Sequence, residues 1–169
     1  MEPSINRATL VLPAGEWNRE RRLGGVTLDF DRRSRRRIAL VSDEGMSFLL
    51  DLPDARHLRQ GDGLVLKEGI LEVLAAPESL LQLRCADAHA LLRLAWHIGN
   101  RHIPAMLEGD TILIRTDHVL ADMARRLGAV VVALEQPFDP EGGAYADVPT
   151  GGGHSHGPSG GHGHGHHHH

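Results

Sequence analysis

One cysteine, Cys85, and an aromatic content of only 4% are the scarcest features of this 169-residue chain. A single thiol cannot build an intramolecular disulfide framework or a cysteine-rich zinc site. No apolar run approaches the roughly 18 residues that span a bilayer. The stretch Met1 to Leu12 lacks the basic segment followed by an apolar one that marks a secretory leader. Lysine and arginine number 18 against 22 acidic residues, a net charge of −4, which argues against general attraction to nucleic acid. Also missing are a phosphate-cradling Gly-x-x-x-x-Gly-Lys-Ser/Thr loop, a nucleophile–base pair and an acid pair. These absences predict a soluble cytoplasmic protein that is not an enzyme and engages neither membrane nor nucleic acid.

Histidine is what the chain has in excess, with 13 residues unevenly placed. Five lie in the first 150 positions: His57, His89, His97, His102 and His118. The remainder crowd the end as His154, His156, His162, His164, His166, His167, His168 and His169, spaced by glycine and serine. That segment has no large apolar residue, so 148–169 is expected to be a disordered Gly/His-rich tail. Neutral imidazoles bind nickel, copper and zinc, and flexible spacers let several rings wrap one ion. A purification tag would normally be one unbroken run of histidines; the interruptions favour a native metal-binding tail.

The rest divides into two textures. Residues 1–76 read as a small all-β module. Strand-length runs occur at Ala8–Leu12, Val26–Phe30, Ile38–Val41, Ser47–Leu50, Leu64–Leu66 and Ile70–Val73, separated by Gly, Pro and Asp turns. Residues 77–147 read as β-α-β-β-α-β, the ferredoxin-like plan, which makes the fold class α+β. Leu80–Arg84 is its first strand. A helix follows from the N-cap Asp87 to Ile98, with Gly99 expected to end it as the left-handed cap residue. Ile103–Leu107 and Thr111–Arg115 are extended. A second helix starts at Thr116 or Asp117 and is closed by Gly128, and Ala129–Leu134 is a continuous apolar run expected to be a buried strand.

Among the internal histidines, His89 belongs to a polar helix face and His57 reads as a surface residue. His102 sits in the junction after the first helix, between Gly99-Asn100-Arg101 and Ile103-Pro104, and there it serves either as a structural residue or as a ligand. His118 falls in the first turn of the second helix with Asp122 four residues on, placed to orient it; ligand and plain surface histidine are equally good readings. Eight arginines, Arg19, Arg21, Arg22, Arg32, Arg33, Arg35, Arg36 and Arg37, crowd the β module. They read as a solvated rim or a surface for an acidic protein, because the ferredoxin-like strands lack the aromatic pairs that base stacking requires.

The run His97-Ile98-Gly99-Asn100-Arg101-His102-Ile103-Pro104 resembles the His-x-Gly-Asn-Arg-His-x-Pro signature of the UreE family of urease accessory metallochaperones. The likeness continues through Asp117–Met123, Leu127-Gly128 and Gln136–Tyr145, and the family often carries a His-rich C-terminus. It is weak before residue 80 and strong from 96 to 145. The resemblance implies a peptide-binding-like β domain, a ferredoxin-like metal-binding domain and a homodimer. It implies a carrier that delivers Ni(II) to apo-urease with the UreG GTPase and the UreF/UreH (UreD) complex, with Zn(II) or Cu(II) also able to bind. On the same basis His102 is the central ligand, one from each subunit. His118 matches a peripheral ligand of some members, although those often carry a second histidine where this chain has Thr116. Arg101 and Asn100 would hold the loop rather than the metal, as supporting residues with His97, Gly99, Pro104 and Asp122. A generic nickel or zinc store, in which only the tail matters, is the alternative.

Overall fold

A computed structural model describes residues 6–142. The tail expected at 148–169 lies outside the described residues. In the N-terminal half the strands form two sheets around one core. β1 (Asn6–Ala8), β5 (Ser47–Asp51) and β4 (Arg37–Val41) pair in the order β1-β5-β4. β2 (Leu10–Leu12), β6 (Gly63–Val65), β7 (Ile70–Ala75) and β3 (Arg22–Leu28) pair in the order β2-β6-β7-β3. Val26, Leu28, Leu40, Phe48, Leu50, Leu64, Leu71 and Val73 fill the space between the sheets.

Two local readings change. The run Ala8–Leu12 is not one strand: it breaks at Thr9, and its halves join different sheets. The run Val26–Phe30 ends early, because Asp29 accepts the Arg32 N–H at 2.8 Å and caps a one-turn helix, α1 (Phe30–Arg33). One turn is too short for a helical period to register in the sequence.

The C-terminal half follows the expected ferredoxin-like order. β8 (Pro77–Arg84), α2 (Ala88–Asn100), β9 (Ala105–Glu108), β10 (Thr111–Arg115), α3 (His118–Arg126) and β11 (Val130–Pro137) build an antiparallel sheet in the order β11-β8-β10-β9. Both helices lie on one face, where Leu94, Ile98, Leu120 and Ala124 meet Leu81, Leu83, Ile112 and Ile114. On the other face Leu80 and Leu113 are sealed by Phe138, with Phe30 of the N-terminal half packed alongside. This small second cluster joins the two halves. β11 is not the buried strand expected from its apolar run. It is an edge strand, and Val130 and Val132 stay exposed on the part of the sheet that Phe138 and Phe30 do not reach.

Candidate metal centre

The junction at the end of α2 is built by backbone hydrogen bonds. Asp87 opens the helix by accepting from the Ala90 N–H at 2.8 Å. At the other end the His102 N–H donates to the Gly99 carbonyl at 3.0 Å and the Ile103 N–H reaches back to the Ile98 carbonyl at 3.5 Å. This pair of bonds is the Schellman arrangement, whose closing residue must be left-handed. That residue is His102, with φ 53°, the only non-glycine at positive φ among the described residues. Gly99 therefore does not end the helix as expected. It lies within α2 at ordinary φ, and the helix runs on through Asn100. A glycine one turn earlier looks like a cap in sequence, but hydrogen bonding selects the later residue.

The consequence is geometric. The left-handed turn lifts the His102 ring off the helix axis, and the residue is exposed. Arg101 folds back along α2, its Nη1 donating to the His97 carbonyl at 2.9 Å. Arg101 thus braces the last turn of α2. His97 is half-buried, its ring edge-on to Trp96 at 5.1 Å between centroids.

His118 opens α3 beneath the N-cap Asp117, which accepts the Leu120 N–H at 2.9 Å. Its ring is exposed. Asp122 does not orient it: the carboxylate is paired with Arg125 at 3.1 Å, one turn along its own helix. The helices α2 and α3 run side by side, so that His97 and Arg101 share a surface recess with Val119, Asp122, Met123, Arg126 and Leu127. Met123 and Leu127 form the floor between the two helices and belong to the core beneath. His102 and His118 therefore occupy the same end of the helix layer.

The donor set within the described residues is incomplete. Nowhere among them do three His, Cys, Asp or Glu side chains converge to hold an ion. The tail histidines His154, His156, His162, His164 and His166 to His169 lie outside the described residues. A single imidazole on an exposed cap is an open coordination point, and four-coordinate closed cages are built from several fixed ligands. Among the described residues, the fold presents His102 as an exposed candidate donor.

His57 was read as a surface residue and is not. It lies between the two halves in a cleft of about 610 Å³ that also holds Phe30, Arg56, Arg59, His102, Pro104 and Glu141. Its Nδ1 meets Ser34 Oγ at 2.8 Å, its Nε2 faces Arg33 Nη1 at 3.3 Å, and its ring tilts against Phe30 at 4.8 Å. Burial pushes its pKa down to about 4, helped by the charge of Arg33 and opposed by Asp139. The ring is thus neutral, with both nitrogens engaged: Nε2 accepts from Arg33, and Nδ1–H donates to Ser34. It carries no free lone pair for an ion.

The arginine run contains a second surprise. Arg33 is completely buried. It donates to the carbonyls of Leu28, Leu58 and Phe138 and to Asp139 Oδ1, the last at 3.0 Å. Burial lowers its pKa and Asp139 opposes the shift. Arg19 and Arg22 bracket Glu72, each at 2.8 Å, and Arg37 reaches Asp51 at 3.7 Å. Much of the expected basic rim is therefore internally paired. Sequence gave one hint for Arg33: an aromatic between prolines, Pro137-Phe138-Asp139-Pro140, is unusual in a terminal polar stretch and needs somewhere to dock.

Comparison with known proteins bears on both halves. Residues 7–76 match the family model described as UreE urease accessory protein, N-terminal domain. Residues 78–169 match that of the UreE urease accessory protein, C-terminal domain. The chain belongs to the UreE family. Among similar proteins, a urease accessory protein UreE from Bradyrhizobium sp. (strain ORS 278) is 51% identical over 152 residues, which is 89% of this chain and 70% of that protein. UreE from Chelativorans sp. (strain BNC1) is 52% identical, over 81% of this chain and 87% of the relative. UreE from Rhodobacter capsulatus is 44% identical, over 91% and 95% of the two chains. The two-domain UreE architecture accounts for the β module, the ferredoxin-like half and the junction between them.

Proposed function

We propose that this chain is a urease accessory metallochaperone that binds Ni(II) as cargo and passes it to apo-urease in the cytoplasm. The observation that carries the reading is His102: an exposed imidazole held at a strained left-handed cap, inside the His97–Pro104 motif, with no closed cage around it among the described residues. A carrier must release its ion, so one fixed ligand completed by movable ones suits delivery better than a rigid four-ligand site. The role is accessory rather than catalytic, and any GTP use belongs to the UreG partner acting with the UreF/UreH (UreD)–apo-urease complex.

One imidazole alone is a poor nickel site, and a two-fold axis turns it into a facing pair. Support for a homodimer comes from the outer face of α2 and α3. Leu92, Trp96 and Val119 are 69%, 65% and 62% exposed there, on the layer that ends at His102. Large apolar side chains gathered on one face mark an interaction surface. We take residues 1–76, 77–147 and 148–169 as the β domain, the metal-binding domain and the metal-binding tail. The tail histidines His154 to His169 then act as additional ligands and His118 as a peripheral one. Zn(II) and Cu(II) would bind the same imidazoles, and copper more tightly by the general affinity order.

Equilibrium dialysis of nickel against the chain ending at Thr150 tests the assignment. The expected result is one Ni(II) per two chains, lost in His102→Ala. No nickel binding by the truncated chain would move the function to the tail and favour the storage reading, and undiminished binding by that variant would move the site to other residues of the fold.

A further inference from the structure

Beyond the ligands, the fold connects the His102 loop to the opposite domain. The connection is the segment that follows β11. Phe138 is buried against Leu80 and Leu113. The next residue, Asp139, places Oδ1 3.0 Å from Arg33 Nη1 and Oδ2 3.2 Å from Arg59 Nε, both arginines belonging to the N-terminal domain. The Asp139 N–H points at Met106 Sδ at 3.3 Å, and the Glu141 N–H donates to the Ala105 carbonyl at 2.8 Å. Ala105 and Met106 open β9, immediately after His102-Ile103-Pro104. The segment is therefore gripped by the β domain through one carboxylate while it grips the start of β9 through two backbone N–H groups. His102, Ile103, Pro104, Pro140 and Glu141 line one cleft, so the ties lie directly beside the metal loop.

We infer that Asp139 is a positioning residue for His102. Its ion pairs with Arg33 and Arg59 fix the strap, the strap fixes β9, and β9 fixes the direction in which the His102 loop leaves α2. The inference rests on the nickel reading for its consequence but not for its geometry. Outer-shell groups that orient a ligand commonly matter about tenfold or more in metal affinity. Arg33 is fully buried and donates to two further N-terminal carbonyls besides. A shift of the β domain is consequently transmitted to the metal loop through a charged, hydrogen-bonded contact in addition to the apolar packing of Phe30 on Phe138.

The test uses the full chain with Asp139→Asn, Arg59→Gln and, as a control, Glu72→Gln. Glu72 also pairs with two arginines, but within the β module. Two quantities are read without metal: amide exchange at Glu141 and the side-chain NMR shifts of His102. Nickel affinity is then read by titration. Asp139→Asn is expected to speed exchange at Glu141 at least about tenfold, move the His102 resonances and weaken the His102 nickel step about tenfold. Arg59→Gln, which leaves Arg33 neutralised, should shift the same signals in the same direction by less, and it carries the test should Asp139→Asn not fold. Glu72→Gln should lower the melting temperature and leave His102 unmoved. Unchanged Glu141 exchange and His102 shifts in both strap variants would overturn the inference. So would equal changes in the Glu72→Gln control. If wild-type His102 does not respond to nickel, the metal reading fails while the exchange result still judges the strap.

Discussion

His102 carries its Cβ into a backbone region that glycine enters freely and other residues enter at a cost of roughly 1 kcal/mol. The hydrogen bonds to Gly99 and Ile98 hold it there. The position that stability would give to glycine is occupied by His102, the residue proposed as the fixed metal donor. His102→Gly should therefore raise the unfolding free energy by about 0.5–1 kcal/mol while removing the nickel step of the chain ending at Thr150. Urea melts at pH 7.5 paired with dialysis check both halves; a destabilised variant would mean that the ring makes contacts worth more than the backbone strain.

Helix α2 shows how far the sequence reaches at the scale of an element, and where it stops. The capping carboxylate of Asp87 and the spacing of Ala88, Leu91, Ala95 and Ile98 located the helix to within two residues of its end. The end itself was misplaced, because the choice between Gly99 and His102 depends on which carbonyls are left to be satisfied. β11 was misjudged for a related reason: Ala129–Leu134 is apolar throughout, and only the sheet order says that it lies at an edge. One consequence belongs to the helix layer. Trp96 offers a large apolar surface to solvent, one turn before Asn100 and on the face that leads to His102. If the chain pairs through this face as proposed, Trp96→Glu should convert the dimer to monomer in light scattering, leave the far-UV circular dichroism unchanged and abolish the shared nickel step. A variant that stays dimeric would direct the two-fold contact elsewhere.

At the scale of the whole molecule, the least legible feature was the joint between the halves. Arg33 looks like any other member of an arginine-rich stretch, since nothing local distinguishes a buried guanidinium from exposed ones. Its partners Leu58, Phe138 and Asp139 come from distant parts of the chain, and so do those of His57. The His97–Pro104 motif, in contrast, is contiguous, and so the candidate residue His102 could be named from sequence where its surroundings could not. The joint also gives the molecule an acid response. His57 in the fold titrates at about 4 rather than 6.5, chiefly because it is buried. Above pH 6.5 neither folded nor unfolded chain holds that proton, and the full stability is present. As pH falls from 6.5 towards 4 the unfolded chain takes up a proton that the folded chain refuses, so stability drops. The His57 contribution between pH 7.5 and 5 is about 2 kcal/mol. His57→Gln, which retains a partner for Ser34, should be less stable than wild type at pH 7.5 and should lose less on acidification. Parallel urea midpoints at the two pH values that fail to converge would show that the joint does not sense pH through this ring.

Gly142, in the strap, stands on the wall of the cleft that also holds His102. His154, the first tail histidine, follows closely enough in sequence that covalent geometry keeps it within about 40 Å of that wall. In kinetic terms, if His102 and the tail histidines are ligands as proposed, an ion leaving His102 would meet further imidazoles at a raised effective concentration before it diffuses away. Escape would be slowed by recapture rather than by tighter bonds, so residence time and affinity could be set separately. Moving the point of attachment, for instance by lengthening the chain after Gly142, would shorten the first without changing the second at His102.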